Sequence, residues 1–544
     1  MNKTIINYFW KYTHIQVVFL VIFTGFLFVF DLGNRDLWAP DEPRYAQVAR
    51  EMLENKNFIL PHLNGEVYPD KPPLLFWLID LFSIPFKTVT EFSARLPSAL
   101  AGLGCCIATF FLGRFIFSQR IGFIAALILA TNVEFLWIAR RSAFDVLLTF
   151  LITMSLLCFY LGYSRDFKNT RFFLISYVFM SLAVLTKGPL GLILPVIIIV
   201  SFLVMEGKLK LYRYMAIGRG CIIFSIIVFS WFILASFEGD KEYVDEILNN
   251  QIMGRFFNSW KDKEPFYYYF TRFPIDFLPW SLFIPGVIIY SIKQRSKEIR
   301  NVKFPFIWFA AIFVFFLIAS GKKGRYLLPL YPAASLLVAW FFDSIILNLE
   351  KYKSHRIICI PGYVLFGFII VFSISLPFVV NAYFPVKDVY SVIISSSCIG
   401  VSVFSLVFLY RREMSVFLMS IFLAVLIIFI LSVKIVIPEI NKKKSAKPFC
   451  KGINAIIQPE NKLAVFGFYK DAYLFYTGRK YIKVIQNTND LKHFLNSEER
   501  RFVIIKQNEL RDIQRYIKSP IYVLLSDSIG HRKIVFVSNK MKRD

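Results

Sequence analysis

Apolar residues along the first four-fifths of the chain are grouped in runs that are long enough to cross a membrane. A helix needs about 20 mostly apolar residues to span roughly 30 Å of hydrocarbon. Runs of this kind recur with short polar loops between them, which predicts about thirteen transmembrane helices. The runs lie near residues 15–30, 96–113, 121–138, 146–164, 172–187, 188–205, 220–237, 277–292, 304–320, 326–342, 357–380, 389–410 and 414–433.

The loop after the first run has the periodicity of a short amphipathic helix. From Pro43 onward, apolar side chains recur at helical spacing and polar side chains occupy the opposite face. This pattern predicts a helix that lies at the membrane interface. The apolar face comprises Tyr45, Val48, Ala49, Met52 and Leu53, and the polar face comprises Arg44, Gln47, Arg50, Glu51 and Glu54.

The segment 438–544 has the alternating pattern of a small α/β domain. Helical patterns separate short β-rich runs, which predicts a partly parallel sheet. The β-rich runs lie at 463–468, 481–485, 501–506, 521–525 and 533–537. We therefore predict a mostly α membrane protein with a transmembrane domain at 1–437 and an α/β domain at 438–544. The second domain has no glycine-rich phosphate loop, and we assign it no catalytic role.

Composition and charge agree with insertion in a membrane. Of the 544 residues, 56% are hydrophobic and 61 are phenylalanine, more apolar surface than a soluble domain could bury. The formal net charge of +26 is spread over loops that flank the apolar runs, so it does not indicate nucleic-acid binding. Alternate loops carry most of the basic residues. This predicts a cytoplasmic N-terminus and places 438–544 on the opposite, outer side.

Cysteines and histidines indicate neither a disulfide framework nor a zinc site. Six of the seven cysteines lie in apolar runs, and the five histidines are scattered along the chain. We expect no required cofactor, although an adventitious divalent cation could bind near Asp70 and His62.

Charged and aromatic residues are concentrated in the loop 31–95, which is too long to be a simple connection. Prolines restrict the backbone around two charged groups in this loop, which suits a preorganised site. The first group is Trp38, Asp41, Glu42, Arg44 and Tyr45, and the second is Tyr68, Asp70 and Lys71. Because Asp41 and Glu42 also precede a predicted helix, capping of that helix is the alternative interpretation.

These groups resemble motifs of the GT-C membrane glycosyltransferases, and more closely those of the bacterial lipid A 4-amino-4-deoxy-L-arabinose transferases. The similar elements are Asp41-Glu42-x-x-Tyr45, Tyr68-x-x-Lys71-Pro-Pro73, Arg140-Arg141-x-x-x-Asp145, Thr186-Lys187-Gly188-Pro189 and Gly321-Lys322-Lys323-Gly324-Arg325-Tyr326-Leu-Leu-Pro329. Their order and sidedness are more specific than any one of them. The resemblance implies a GT-C fold with about thirteen spans, interfacial helices in the first outer loop and the C-terminal α/β domain.

The resemblance also implies the roles of individual residues. Asp41 and Asp145 would be catalytic, and a second set would bind the phosphate of an undecaprenyl-phosphate sugar donor: Lys71, Arg255, Lys322, Lys323, Arg325 and Tyr326. A third set would bind the acceptor or the sugar: Glu42, Arg44, Tyr45, Tyr68, Asp70 and Arg140. Lipid-headgroup anchoring is the alternative for Lys322, Lys323 and Arg325.

The acceptor decides what Asp41 does. A hydroxyl acceptor needs a general base, whereas a lipid A phosphate is already anionic, so that Asp41 would orient it. Asp145 would bind the ammonium of the sugar, hold Lys71 or Arg140 in place, or form a structural ion pair with Arg140 or Arg141. We expect one direct displacement, because no second nucleophile that could form a covalent sugar-enzyme intermediate is evident. Such a displacement would invert the configuration at the anomeric carbon.

The function implied by the resemblance is transfer of 4-amino-4-deoxy-L-arabinose to a lipid A phosphate at the periplasmic face of the bacterial inner membrane, a modification associated with polymyxin resistance. We expect a monomer whose other partners are membrane lipids. One alternative is a relative that transfers a hexosamine or mannose to lipid A, a glycan or a protein. A lipid or sugar transporter ranks behind both, because the span centres lack charge and no internal repeat is found.

Overall fold

The computed structural model describes residues 12–165, 169–239, 246, 264–293, 299–347, 356–383, 388–514 and 520–541. Most of the chain is helical, and a small sheet forms near its C-terminus. The helices as far as residue 347 are α1 (Thr13–Val29), α2 (Asp41–Asn55), α3 (Leu74–Ser83), α4 (Glu91–Ile116), α5 (Gln119–Ala130), α6 (Val133–Ala139), α7 (Phe144–Ser164), α8 (Arg171–Lys187), α9 (Leu190–Met205), α10 (Ile217–Glu238), α11 (Tyr268–Asp276), α12 (Ile284–Lys293), α13 (Ile299–Ile318) and α14 (Tyr331–Leu347).

The remaining elements complete the helical region and form the C-terminal segment. Short 3-10 turns lie at Ile84–Phe86, Leu209–Tyr214, Trp280–Phe283 and Gly324–Leu330, and Ser432–Val436 forms a π turn. The later helices are α15 (Arg356–Tyr383), α16 (Asp388–Tyr410), α17 (Met414–Leu431), α18 (Ile437–Lys444), α19 (Lys447–Ile456), α20 (Asp471–Thr477), α21 (Thr488–Leu495) and α22 (Gln507–Ile513). The strands are β1 (His62–Leu63), β2 (Glu66–Val67), β3 (Leu463–Phe466), β4 (Lys483–Ile485), β5 (Phe502–Lys506), β6 (Tyr522–Ile529) and β7 (Arg532–Ser538).

Each predicted apolar run coincides with a helix or a broken helix, so the prediction of a mostly α multi-pass membrane protein is confirmed. Within the described ranges, seven helices are long and apolar enough to cross a membrane. The number of such segments rises to nine if each of two bent helix pairs is counted as one span. Other predicted runs form shorter helices, such as α1 with 17 residues and α9 with 16.

The predicted run 121–138 is bent rather than straight, and the run 277–292 follows a second bend. The chain bends by 68° between α5 and α6 and by 111° between α11 and the helix that follows it. The two breaks are joined by hydrogen bonds: the Val133 amide donates to the Leu278 carbonyl (3.0 Å), and the Trp280 indole donates to the Thr131 hydroxyl (3.1 Å). Such bonds satisfy polar groups that a break would otherwise leave without partners in an apolar environment.

The chain divides into two compact units. The helical unit comprises Met1–Phe30, Pro69–Leu75 and Arg95–Ile435, and the mixed unit comprises Asp31–Tyr68, Phe76–Ala94 and Val436–Asp544. The C-terminal segment therefore shares a unit with most of the first loop. One reason is Asn64, whose side chain bonds both backbone groups of Ile482 (2.8 and 3.2 Å).

The sheet of the mixed unit is partly parallel, as predicted. Its five strands have the order β4-β3-β5-β7-β6; β3 is parallel to β4 and β5, and β7 is antiparallel to β5 and β6. Alternate side chains cover its two faces. Val465 and Ile504 pack with Phe449 of α19 on one face, whereas Val503 packs with Leu491 of α21 on the other.

Helix α2 differs from the predicted interfacial helix. It begins at Asp41 rather than Pro43, and side chains on both of its faces are buried. Gln47 and Glu51, which were assigned to the polar face, are 2% and 6% exposed. Glu51 accepts hydrogen bonds from the backbone amides of Asn64 (2.7 Å) and Gly65 (3.1 Å), and these bonds make its burial tolerable.

Candidate active site

Asp145 lies in the first turn of α7 and forms the centre of a charged cluster in the helical unit. Its side chain is nearly buried, and Lys187 Nζ lies 2.5 Å from Oδ1, while Arg325 Nε lies 3.7 Å from Oδ2. Asp145 is at a helix N-terminus and Lys187 is at a helix C-terminus, positions that favour the sign of each charge. Gly188, with φ +70°, ends α8 directly after Lys187.

Tyr326 completes this cluster, which we call the Asp145 centre (Asp145, Lys187, Arg325 and Tyr326). Lys187 Nζ lies 4.6 Å from the centroid of the Tyr326 ring, a cation–π distance. Arg325 and Tyr326 are adjacent in the 3-10 turn Gly324–Leu330, so one short backbone segment places both side chains. The structure thus brings together three of the residues predicted from the sequence.

Helix α11 holds the beginning of this turn. The backbone amide of Lys323 donates a hydrogen bond to the buried Tyr269 hydroxyl (3.3 Å). Arg272 Nε lies 2.9 Å from Asp276 Oδ2, and this ion pair lies against the backbone of Gly324. A Cβ atom at position 324 would overlap the Asp276 carboxylate. Glycine leaves room for this close approach, and a larger residue would have to displace the Asp276 or Arg272 side chain.

Lys71 acts electrostatically on Asp145 from within the same unit. Lys322, by contrast, is 6% exposed, and its ammonium donates to the Ala319 carbonyl (2.7 Å) just after the end of α13. Lys323 and Asp70 are partly exposed. Arg255 lies outside the described residues.

Arg140 binds backbone at the end of α1. Its guanidinium donates to the carbonyls of Leu27 and Phe30 (2.7 Å each) and lies 4.9 Å from the centroid of the Phe429 ring. The carbonyls at a helix C-terminus lack intrahelical partners, and arginine is a suitable donor to them. These contacts give Arg140 a capping function, while its predicted role in acceptor or sugar binding stays a prediction.

Asp41 and Glu42 lie in the first turn of α2 in the mixed unit. Asp41 is partly exposed, whereas Glu42 is buried and accepts two hydrogen bonds from Arg35, at 2.8 and 2.9 Å. The Arg35 guanidinium also lies 4.5 Å from the centroid of the Trp38 ring. Glu42 therefore anchors the segment before α2, and Asp41 is the carboxylate of the pair that retains exposure.

Arg44, Tyr45 and Tyr68 are brought together with Asp471 of the C-terminal segment. Arg44 Nε lies 2.8 Å from Asp471 Oδ2. Burial of Arg44 opposes its charge, but the neighbouring Asp471 carboxylate outweighs this effect and raises the pKa of the guanidinium. Tyr45 and Tyr68 flank Phe76, with ring centroids 6.3 and 6.2 Å from it.

Lys187 and Asp471 pair with predicted residues but were themselves absent from the predicted site. The sequence did mark Lys187, because Thr186-Lys187-Gly188-Pro189 is one of the similar motifs, but the motif did not identify Asp145 as its partner. No sequence feature marked Asp471, since it lies 427 residues after Arg44 in a segment to which no role was assigned. In the described part of the chain, no three metal-binding side chains are grouped closely enough to hold an ion.

The arrangement of the helices defines the class of protein. The structure matches the crystal structure of ArnT from Cupriavidus metallidurans bound to undecaprenyl phosphate, with a TM-score of 0.79 over 96% of this chain and 98% of that one at 19% identity. The fold is therefore the GT-C glycosyltransferase fold, as the sequence motifs predicted.

The sequence relatives are more specific. The chain is 28% identical, over 64% of its length and 63% of the relative's, to the undecaprenyl phosphate-alpha-4-amino-4-deoxy-L-arabinose arabinosyl transferase 2 of Proteus mirabilis. It is 31% identical to an uncharacterized protein of Aquifex aeolicus, over 61% of this chain and 64% of that protein. The chain thus spans less than two thirds of the length of these curated relatives. The dolichyl-phosphate-mannose-protein mannosyltransferase family model matches residues 70–233. The predicted resemblance to the aminoarabinose transferases is confirmed.

Proposed function

We propose that the chain is an inverting glycosyltransferase that moves 4-amino-4-deoxy-L-arabinose from undecaprenyl phosphate to a phosphate of lipid A. The observation that carries this proposal is the charge balance of the Asp145 centre. Three cations, Lys187, Arg325 and Lys71, act on one nearly buried carboxylate. A surplus of fixed positive charge in a poorly solvated place suits an anionic ligand.

The donor phosphate would bind beside these cations. As the glycosidic bond breaks, negative charge grows on the phosphate oxygen, and preorganised cations stabilise it most at that stage. Asp145 orients Lys187 and Arg325 through its two oxygens rather than attacking the sugar. The Tyr326 hydroxyl is a further donor to the leaving phosphate.

The chemical step is one displacement. An oxygen of the acceptor phosphate forms a bond to the anomeric carbon, the bond from that carbon to the undecaprenyl phosphate oxygen breaks, and its electron pair leaves with undecaprenyl phosphate. The acceptor phosphate is already anionic, so Asp41 serves to orient it. When that phosphate is a monoanion, Asp41 also takes its last proton. No metal or other cofactor is needed for this step.

The cellular setting is part of the proposal. The enzyme is a monomer in the bacterial inner membrane, surrounded by its lipids, with a cytoplasmic N-terminus and a periplasmic C-terminal segment. The basic loops that predict this orientation also account for the positive charge of the chain, so we expect no nucleic-acid partner. The match of residues 70–233 to a mannosyltransferase family supports one alternative, transfer of mannose or a hexosamine from a polyprenyl phosphate.

Reconstitution of the purified protein in liposomes with lipid A and undecaprenyl-phosphate aminoarabinose tests the proposal. Mass spectrometry should detect lipid A carrying one added aminopentose. Lys187→Met should lower the rate at least about 100-fold, as expected when a charge that stabilises a transition state is removed. The matched control is Lys303→Met, which removes a lysine paired with Glu206 (2.9 Å) elsewhere in the helical unit. Unmodified lipid A with folded wild-type protein would contradict the proposal.

A further inference from the structure

The short segment 35–40, which leads directly into Asp41, is held by a side chain of the C-terminal segment within the mixed unit. This side chain is Asn441 of α18, which lies 403 residues after Trp38. Its oxygen accepts hydrogen bonds from the Trp38 indole (2.8 Å) and from the backbone amide of Asp36 (3.2 Å). Its amide nitrogen donates to the Asp36 carboxylate (2.9 Å). One side chain thus fixes a backbone group and two side chains just before Asp41.

Two neighbouring residues of the C-terminal segment strengthen this attachment. The backbone amide of Leu37 donates a hydrogen bond to the Tyr476 hydroxyl (2.6 Å). The Lys447 ammonium lies 3.3 Å from Asp36 Oδ1 and 5.7 Å from the centroid of the Tyr476 ring. The consecutive backbone amides of residues 36 and 37 therefore both donate to side chains of the C-terminal segment. Because each amide has one such bond to make, these bonds determine the path of the backbone there.

The attachment reaches Asp41 through Trp38 and Glu42. The Trp38 amide donates to Glu42 Oε2 (3.2 Å), the same oxygen that accepts a hydrogen bond from Arg35 (2.8 Å). Only two residues separate Trp38 from Asp41, and Glu42 follows directly. The backbone of Asp41 is therefore fixed on both sides, while its side chain remains partly exposed.

Other contacts between the first loop and the C-terminal segment lie further along the loop. The ion pair of Arg44 with Asp471 (2.8 Å), for example, holds α2 after its first turn. Asn441 directs the three side-chain hydrogen bonds that the structure shows for it to Asp36 and Trp38. Attachment of α2 does not need these bonds, so they act chiefly on the backbone that precedes Asp41.

We propose that Asn441 is a positioning residue that directs the Asp41 carboxylate toward the acceptor phosphate. This inference rests on the proposed function, in which Asp41 orients the acceptor. Asn441 acts through Trp38 and the backbone, because a catalytic group has to be held within about 0.5 Å of its productive position by the residues behind it. The C-terminal segment, to which no catalytic role was assigned from the sequence, thereby contributes to the reaction.

An exchange of the two hydrogen-bonding side chains tests this role. Asn441→Asp keeps an oxygen for the Trp38 indole but replaces the donor to Asp36 with a second carboxylate, so that two like charges meet. The double variant Asp36→Asn/Asn441→Asp restores one amide and one carboxylate in exchanged positions. Lys447 retains its other partner in this variant, Glu91 at 2.6 Å. Recovery in the double variant would therefore be specific to the hydrogen bond between positions 36 and 441.

Transfer of aminoarabinose to lipid A is measured with the full chain in liposomes, and donor binding with the detergent-solubilised chain. We expect Asn441→Asp to lower kcat about 10- to 100-fold, as a displaced catalytic group does, and the double variant to recover most of this loss. The donor Kd should not change, since the donor phosphate binds at the Asp145 centre. The matched control is Asn454→Asp, the same change in α19, which affects a single hydrogen bond to the Thr477 carbonyl (3.2 Å) and should leave kcat unchanged.

Hydrogen–deuterium exchange gives a readout that does not depend on the acceptor. The amides of residues 36, 37 and 38 are all hydrogen-bonded in the structure, so they should exchange slowly in the wild type. Peptides that cover residues 36–42 should exchange faster in Asn441→Asp and return toward the wild-type rate in the double variant. Trp38→Phe, which removes only the indole donor, should lower kcat by about 3- to 10-fold. It serves as the second variant if Asn441→Asp does not fold.

The outcomes separate this inference from the proposed function. An unchanged kcat in folded Asn441→Asp or, should that variant not fold, in Trp38→Phe would overturn the inference. A double variant that folds without recovering kcat would also overturn it, as would equal losses of donor binding and kcat, which would indicate a structural role alone. A wild-type protein that modifies no lipid A would contradict the proposed function, whereas faster exchange in Asn441→Asp with recovery in the double variant would still support Asn441 as the residue that positions the Asp41 segment.

Discussion

Individual carboxylates in this protein differ chiefly in the partners that the fold provides. Asp145 has two cations, Glu42 has the two-bond contact with Arg35, and Asp41 retains exposure. A paired and buried carboxylate orients its partners, whereas an exposed one can meet a substrate. Asp145 and Glu42 therefore orient neighbouring residues, whereas Asp41 is exposed enough to meet a substrate.

Asp80 of α3 is a buried carboxyl group that should make the stability of the protein depend on pH. It is 3% exposed, and neither of its oxygens has a hydrogen-bond partner among the described residues. Burial raises the pKa of Asp80 to about 8. The folded state thus retains a proton that the unfolded state loses above its ordinary pKa. Stability should therefore fall with rising pH, by about 1.4 kcal/mol per unit, from about pH 4 until the folded pKa is reached.

The Asp80→Asn variant should remove this part of the pH dependence, because its side chain stays neutral. Thermal unfolding midpoints measured between pH 5 and 8 should decline less steeply for Asp80→Asn than for the wild type. Glu498→Gln, a change at an exposed carboxylate, should leave the slope unchanged. Equal slopes for Asp80→Asn and the wild type would show that the Asp80 side chain is solvated.

At the scale of elements, short and broken helices position the candidate site. The 3-10 turn Gly324–Leu330 carries Arg325 and Tyr326, and α11 holds its first residues through Tyr269 and Asp276. Broken helices are used where polar groups must be placed within an apolar bundle.

Gly324→Ala tests whether this close packing positions the turn. The added methyl group would overlap the Asp276 carboxylate and Arg272 Nε, which should shift Arg325 and Tyr326 away from the Asp145 centre. We expect the transfer rate to fall at least about 10-fold and the stability to fall by about 1–3 kcal/mol. Gly367→Ala is the control, since a Cβ there meets open space. An unchanged rate in Gly324→Ala would mean that the turn adapts without moving the two side chains.

At the scale of the whole molecule, the division into units does not follow the order of the chain. The mixed unit combines most of the first loop with the segment after residue 435. Its internal bonds include Arg44 with Asp471, Asn64 with Ile482, and Arg50 with the Phe475 carbonyl (2.8 Å). The C-terminal segment therefore supports the loop that carries Asp41.

A double-mutant cycle on Arg44 and Asp471 measures this support. Both side chains are mostly buried, at 19% and 6% exposure, so removal of either partner leaves a poorly solvated charge. We expect Arg44→Ala and Asp471→Ala each to lower the free energy of unfolding by about 2–4 kcal/mol, with a coupling of about 1–3 kcal/mol in the double variant. Additive single effects would show that the two side chains do not depend on each other.

The sequence by itself determined most of the secondary structure and the class of fold. Apolar runs long enough to cross a bilayer and β-rich runs after Pro438 depend on neighbouring residues, so they can be read locally. The motifs around Asp41, Lys71, Asp145 and Tyr326 indicated the GT-C fold in the same way. Arg325 and Tyr326 were predicted together because they are adjacent in one motif.

Only the tertiary structure decided which residues meet. It paired Asp145 with Lys187 and Arg325, buried Gln47 and Glu51 on the supposed polar face of α2, and joined Arg44 to Asp471. It also bent the predicted span 121–138 between α5 and α6. The physical reason is that pairing and burial depend on distances between segments that are remote along the chain, whereas hydrophobic periodicity reports only the local backbone.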